Sequence, residues 1–330
     1  MLKGSWLLGI VAMCACAAPG RGTTTVSAAA PPTATALLAY LDGLPGSSRH
    51  VLSGQHSSYW NSNPLDYVQA VTAQTGKTVA ILGTTLGISG SSEDGVRLSN
   101  QWLSAGGVVL LSLWPVDPFT GKQDNDRSIP ISNVTTPGSA ASKAWFAYLD
   151  GIAAKLRQIR GPVLFRPFVE LNGNWFWYGR QPTAQFITLW QQMHDYLVTT
   201  KGLTNLLWVY NVNGGQGNYA EYYPGAAYVD VVSMDSYPPS AADVPMYNAL
   251  LALGKPIIYA EVGPTIADNS KIVPFSADNS LVLAVVKKDF PKVVAVVIWC
   301  QNSGLPRQKG AAELLSDPAV INLSDLAPGN

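Results

Sequence analysis

Glu170 and Glu261 are the two side chains in this sequence best placed to do chemistry. Glu170 closes the run Phe165-Arg166-Pro167-Phe168-Val169 and is followed by Leu171-Asn172-Gly173-Asn174-Trp175-Phe176-Trp177-Tyr178-Gly179. Glu261 follows the apolar segment from Pro256 to Ala260, and Asp235-Ser236-Tyr237 ends another such segment. A charge directly after an apolar run is costly to bury unpaired, so each needs a partner or a task. Two carboxyl groups set among aromatic rings suit glycosidic bond cleavage. One stays protonated to donate to the leaving oxygen, and the other stays ionised to attack the anomeric carbon. Retention of configuration requires the pair to sit about 5–5.5 Å apart. The same residues also permit a plain structural role, with Glu170 and Arg166 forming one ion pair and Glu261 another.

The elements that would carry these residues alternate regularly. Strand candidates are Val51–Gln55, Val79–Gly83, Val108–Leu113, Val163–Phe168, Leu206–Asn211, Val229–Met234, Pro256–Ala260 and Val293–Trp299. Most are unbroken apolar runs, as expected for parallel strands covered on both faces. Helical spacing appears over Pro64–Thr75, Ser142–Ile159, Thr183–Thr200, Ala241–Leu253 and Asn279–Phe290, with a short C-terminal piece. The polar link after the fifth strand has the weakest helical pattern. Eight βα units predict an α/β fold, a single-domain (β/α)8 barrel, whose chemistry lies at the C-terminal strand ends. An open doubly wound sheet would usually bring a Gly-rich first turn, whereas the turn here is Ser53-Gly54-Gln55-His56.

Composition narrows the partners. Lys plus Arg and Asp plus Glu balance at 21 each, and no basic run offers a footprint for nucleic acid or an anionic membrane. Ten Trp residues are more than cores usually need and suit sugar platforms, although Trp also fills cores well. The N-terminus reads as an export signal over residues 1–17, with Lys3, an apolar run from Trp6 to Met13 and a small-residue site at Ala15-Cys16-Ala17. That run is too short to span a bilayer. A secreted or periplasmic protein is expected, with lipidation at Cys16 as the alternative. Residues 18–35 read as a disordered tether and 36–330 as the catalytic domain. Cys300 is expected to be a buried, inert thiol. Glu93-Asp94 and Asp124–Arg127 are expected to be solvated loop charge rather than cation ligands, and the sequons at Asn133 and Asn322 matter only in a eukaryotic host. No metal and no cofactor is implied, and the chain is expected to act as a monomer on a polysaccharide.

At this point the residues carry a resemblance. RPFVELNGNWFWYG at Arg166 to Gly179 is similar to the acid/base signature of glycoside hydrolase family 26, chiefly endo-β-1,4-mannanases. IIYAEVGP at Ile257 to Pro264 resembles its nucleophile strand, and VDVVSMDSYPP at Val229 to Pro239 the strand before it. SGQH at Ser53 and SLWPVDP at Ser112 resemble its first and third strand ends. The resemblance implies a retaining barrel enzyme with Glu170 as acid/base and Glu261 as nucleophile. It further implies Tyr237 orienting the nucleophile with support from Asp235, Trp299 as the sugar floor, Trp114 and Trp175 as flanking platforms, and Arg166 as the charge partner beneath. His56 is a further candidate. The sequence departs from the family pattern at Val169 and Pro115, where histidines are usual, and at the second strand end, which lacks an acidic or aromatic residue. These departures leave another β-glycan, such as a β-1,3- or mixed-linkage glucan or a xylan, as an alternative substrate. A non-catalytic carbohydrate-binding barrel is the reading from a different class.

Overall fold

The computed structural model describes residues 33–264 and 277–326. The export signal and Cys16 lie outside the described residues, as does the tether up to residue 32. Among the described residues, eight parallel strands close into a barrel: β1 (Val51–His56), β2 (Ile81–Thr85), β3 (Val108–Leu113), β4 (Val163–Pro167), β5 (Leu206–Asn213), β6 (Val231–Ser236), β7 (Ile257–Val262) and β8 (Val293–Ile298). Each pairs with its sequence neighbours, and β8 and β2 both pair with β1. The two-residue β9 (Val320–Ile321) pairs with Val51 and Leu52, below the point where β2 begins to pair at Gly54. It covers backbone groups that would otherwise form an exposed edge.

Two apolar layers follow from the alternation of side chains along each strand. Leu52, Ile81, Leu110, Leu164, Val209, Ile258 and Val297 point into the barrel. Val51, Leu82, Val109, Phe165, Val232 and Tyr259 point outward to the helices. Helix α1 (Ala34–Gly43) was not expected. Its Leu37 and Leu41, with Leu44 just beyond it, pack with the barrel-interior residues, and Thr33 caps its start by accepting from the Ala36 N–H. The folded domain therefore begins at the last residues assigned to the tether, because a capped turn with buried leucines is ordered by the barrel it packs against.

Helix α2 (Asp66–Thr75) ends at Gly76, whose φ of 69° suits glycine at the cap. Helix α3 (Gly95–Ser104) was not expected, although its sequence is amphipathic. Asp94 caps its N-terminus, Leu98 and Trp102 share its buried face, and the Trp102 indole donates to Ala80 O. A short α4 (Ile131–Thr135) precedes α5 (Ala140–Leu156), which buries Trp145, Leu149, Ile152, Ala153 and Leu156 at the expected spacing. The chain continues through α6 (Thr183–Asp195), α7 (Val244–Leu251), α8 (Asn279–Asp289) and α9 (Ala311–Ser316). Between β5 and β6 only a single 3-10 turn, Ala226–Tyr228, forms, in keeping with the weak pattern there. The side chain of Asn322 is buried and donates to Leu315 O, which leaves Asn133 as the exposed sequon asparagine. No helix among the described residues is long and apolar enough to cross a membrane.

Candidate active site

The site is built around Arg166, which points inward from β4 and is fully buried. Its Nε donates to Ser112 Oγ at 3.0 Å, and its Nη1 lies 3.2 Å from Asp235 Oδ2. Its Nη2 donates to Glu261 Oε1. One guanidinium thus joins β3, β4, β6 and β7 through its planar fork of donors. Burial alone would lower its pKa, but Glu261 and Asp235 outweigh that effect and raise it. Tyr237 donates to the other oxygen of Glu261, Oε2, at 2.9 Å. Both oxygens of Glu261 are therefore held by donors.

Glu261 reaches this position through an irregularity. Ile257 and Tyr259 of β7 face the helices, while Ile258 and Ala260 face the barrel interior. Strict alternation would turn Glu261 outward. Instead Tyr259 sits opposite Met234 while Glu261 sits opposite Asp235, so β7 carries one extra residue, and the register with β8 shifts over the same stretch. A bulge of this kind re-aims a side chain. Here it sends Glu261 to Arg166 and returns Val262 to the helix layer.

Glu170 is turned in by its backbone. Phe168 and Glu170 both have φ of 53°, a left-handed conformation uncommon for such residues and costing about 1–3 kcal/mol each. The strain is held by contacts across strands. The Glu170 N–H donates to Asn211 Oδ1 at 2.7 Å, and Asn211 in turn donates to Asp235 Oδ1 at 2.9 Å. Asn172 locks the following loop to the end of β5, accepting from Asn213 N–H at 2.7 Å and donating to the carbonyls of Asn213 and Gly217. Burial, followed by the charge of Glu261, pushes the Glu170 pKa up to about 7, against hydrogen bonds from Asn213 and Trp175. Asp235 is also raised, first by burial and then by Glu261.

One carboxylate oxygen from each of Glu170, Asp235 and Glu261 lies within 4.8 Å of the other two. That places the two glutamates in the close range of retaining enzymes rather than the roughly 6.5–9.5 Å of inverting ones. Three carboxylates this close could in principle bind a cation, but the Arg166 guanidinium already supplies positive charge to Asp235 and Glu261.

The aromatic residues divide into floor, wall and rim. Trp299 follows β8 with its ring 4.9 Å from His56 and 5.4 Å from Tyr59. His56 is fully buried and both ring nitrogens are engaged, Nδ1 with Tyr59 OH and Nε2 with Ala260 O, each at 2.7 Å. Burial, with the nearby Arg166 charge, lowers its pKa to about 3, so it is neutral. Nε2–H then donates to the carbonyl and Nδ1 accepts from Tyr59. His56 is thus a positioning residue that braces Trp299 rather than a contact for substrate. Trp114 is buried as a wall, its ring 5.6 Å from the Arg166 guanidinium. Trp175 is half-buried and packs over Gly173, where a Cβ would lie 2.3 Å from the indole.

Several supporting residues carried no signal in the sequence, among them Ser112, Asn211, Asn213, Tyr59 and the exposed Trp60. Glu93 corrects an expectation. It is not solvated loop charge, because its carboxylate accepts from Ser57 Oγ at 2.6 Å, from Thr84 and from the Thr85 N–H. It folds back to supply an acid at the second strand end, and burial raises its pKa. Asp94 is used as the α3 cap, whereas the exposed Asp124 and the half-buried Asp126 are turn residues that accept from backbone N–H groups. His50 and His194 lie away from the site, and Cys300 is buried with its thiol pKa raised first by burial.

A closed barrel with this carboxylate pair at its C-terminal mouth is a glycoside hydrolase of the retaining type. The chain belongs to glycosyl hydrolase family 26, whose profile matches residues 26–324. It is 31% identical over 316 residues to the mannan endo-1,4-beta-mannosidase A and B of Caldalkalibacillus mannanilyticus, covering 88% of this chain but 60% of that protein. It is 29% identical to a mannan endo-1,4-beta-mannosidase of Bacillus subtilis, covering 90% of this chain and 88% of that protein. The solved structure of a Bacillus subtilis mannanase superposes with a TM-score of 0.76 at 27% identity, covering 87% of this chain and 91% of that one.

Proposed function

We propose that this protein is an endo-acting, retaining β-1,4-mannanase with Glu170 as acid/base and Glu261 as nucleophile. The observation that carries the assignment is the asymmetry between the two carboxyls. Glu261 accepts from Arg166 and Tyr237 on its two oxygens, whereas burial, followed by the charge of Glu261, raises the Glu170 pKa to about 7. In the first step a Glu261 oxygen attacks the anomeric carbon. The bond to the leaving oxygen breaks, and that oxygen takes the Glu170 proton. In the second step Glu170 removes a proton from water, whose oxygen attacks the same carbon and releases the Glu261 carboxylate. The mannosidase activity named for its relatives supports mannan as the backbone. The apolar leader over residues 1–17 supports export, with release or lipid anchoring at Cys16 as its two outcomes.

Incubation with mannan, glucomannan or galactomannan is expected to release oligosaccharides rather than monosaccharide alone, with the first-formed anomer β by NMR. No product from any of a panel of β-glycans would sink the reading, and a first-formed α anomer would remove the retaining mechanism. Tight glycan binding without cleavage would instead favour a binding barrel. Glu170→Ala is expected to lose roughly 10²–10⁴-fold on polysaccharide. It should lose far less on an aryl glycoside whose leaving group needs no proton, and equal losses on both would contradict the acid/base role.

Glu170 also sets the alkaline limb of the pH profile. The acid must enter the reaction protonated, so kcat/KM is expected to fall as pH rises through about 7, the raised value for this group. The Asn213 hydrogen bond favours the carboxylate form. Asn213→Ala is therefore expected to move that limb to higher pH, whatever it does to the maximal rate. A limb that stays in place or moves lower would show that Asn213 does not tune this group.

A further inference from the structure

A partly open pocket lies beside Trp299. It has a volume of about 210 Å³ and is walled by Tyr59, Trp60, Asn61, Tyr67, Gln301 and Arg307, with Cys300 at its base directly after Trp299. None of these residues is needed for the double displacement described above. Three observations mark the pocket as built for a ligand. Gln301 sits in a left-handed conformation with φ of 58°, and its buried side-chain Oε1 meets no donor. Leaving such an acceptor unsatisfied costs about 1–3 kcal/mol. Arg307 stacks over Tyr67, 5.6 Å from the ring centroid, and forms no ion pair among the described residues. Trp60 is 42% exposed, yet its indole is tethered to Ser89 O at 3.1 Å and its ring stands edge-on to Tyr59.

The chemistry of the walls selects the ligand. An unfilled acceptor on Gln301 calls for a donor, whereas Arg307 offers donors, as does the Asn61 amide hydrogen not given to Asp66 Oδ2. A sugar hydroxyl gives and accepts at once and satisfies both kinds of wall. A carboxylate would suit Arg307 but would face the Gln301 oxygen. Sites for larger molecules run from about 300 Å³ upward, so this pocket holds one ring. A more open groove of about 610 Å³, lined by Trp114, Ile88, Phe176 and Gln123, also borders Trp60. Trp60 is thus shared by the groove and the smaller pocket.

We infer that the smaller pocket binds an uncharged one-sugar branch on the glycan backbone, while the backbone itself runs outside Trp60. The inference rests on the mannanase reading and specifies its substrate as a branched mannan. The test compares kcat/KM on galactosyl-branched and unbranched manno-oligosaccharides of equal backbone length. Gln301→Asn shortens the amide in a residue type that tolerates left-handed backbone, and Arg307→Ala removes the guanidinium. In each variant the branched-to-unbranched ratio is expected to fall about tenfold, the equivalent of about 1.4 kcal/mol. An unchanged ratio, or equal loss on both substrates, would overturn the inference, the latter because the pocket would then hold a backbone unit. Wild-type cleavage of the unbranched substrate tests the mannanase reading separately. Calorimetric binding of the same two oligosaccharides in a Glu261→Ala background reads the ratio without turnover, and no preference for the branched one there also overturns it.

Discussion

Glu261→Ala is expected to lower kcat by about 10⁴–10⁶-fold on every glycan the enzyme cleaves, the scale of losing a group that acts as part of a catalytic unit. The alanine cannot form the covalent intermediate, so Glu170 is left to protonate a leaving group that nothing displaces. The loss is chemical and not a failure to fold. Arg166 keeps its contacts with Asp235 and Ser112 when Glu261 is removed. The charge of Glu261 also raises the pKa of both Glu170 and Asp235, so its removal relieves repulsion among three close carboxyls. The melting temperature is therefore expected to hold or rise, as when a strained functional group is removed. A small anion such as azide fits the space vacated by the carboxylate and attacks from the same face. It should restore part of the rate and give an α-linked azide product. Activity near the wild-type level, or a rescued product of β configuration, would show that Glu261 is not the nucleophile.

Arg166→Met is expected to have the largest effect on stability. It keeps much of the side-chain volume but removes the cation that contacts both Asp235 and Glu261. Breaking a buried pair and leaving the partner charge costs about 3–5 kcal/mol. The pH dependence has a definite sign. Asp235 already has a folded-state pKa raised above its unfolded one, and losing the guanidinium, whose charge lowers it, raises it further. The folded state then binds more protons than the unfolded state between those values, and stability falls as pH rises across that interval. Urea unfolding should therefore show a smaller deficit at pH 5 than at pH 7.5, and the lower pH keeps the variant measurable. An equal deficit at both would mean that packing, not charge, is what Arg166 contributes. Arg166→Lys retains the charge but cannot reach Ser112, Asp235 and Glu261 at once, so an intermediate loss is expected.

Much of this architecture was legible in the chain. The unbroken apolar runs mark β1 to β8 in order because parallel strands are buried on both faces. The predicted Val108–Leu113 coincides with β3, and others shift by a residue or two where burial continues past the apolar run. Helix α3 was equally legible, with Leu98 and Trp102 at i, i+4 and Asp94 as its cap, and its polar composition alone argued against it. His56 was visible as a candidate, but its type does not reveal that Tyr59 and Ala260 occupy both ring nitrogens. Glu93 looked like loop charge because the residues that bury it come from two strand ends.

The sequence by itself determined the number and order of the barrel strands, the identity of Glu170, Glu261, Arg166 and Tyr237, and the family to which they belong. These follow from local patterning and from short strings that carry their own residue types. Only the tertiary structure decided which way the carboxylates point and which of them keeps a proton. Alternation along β7 would send Glu261 outward, and the extra residue that turns it inward exists only in its register with β6 and β8. Glu170 is aimed by two left-handed residues that Asn211, on a different strand, helps to hold. Proton affinity depends on burial and on charges brought together from β4, β6 and β7, and no spacing along the chain encodes that distance.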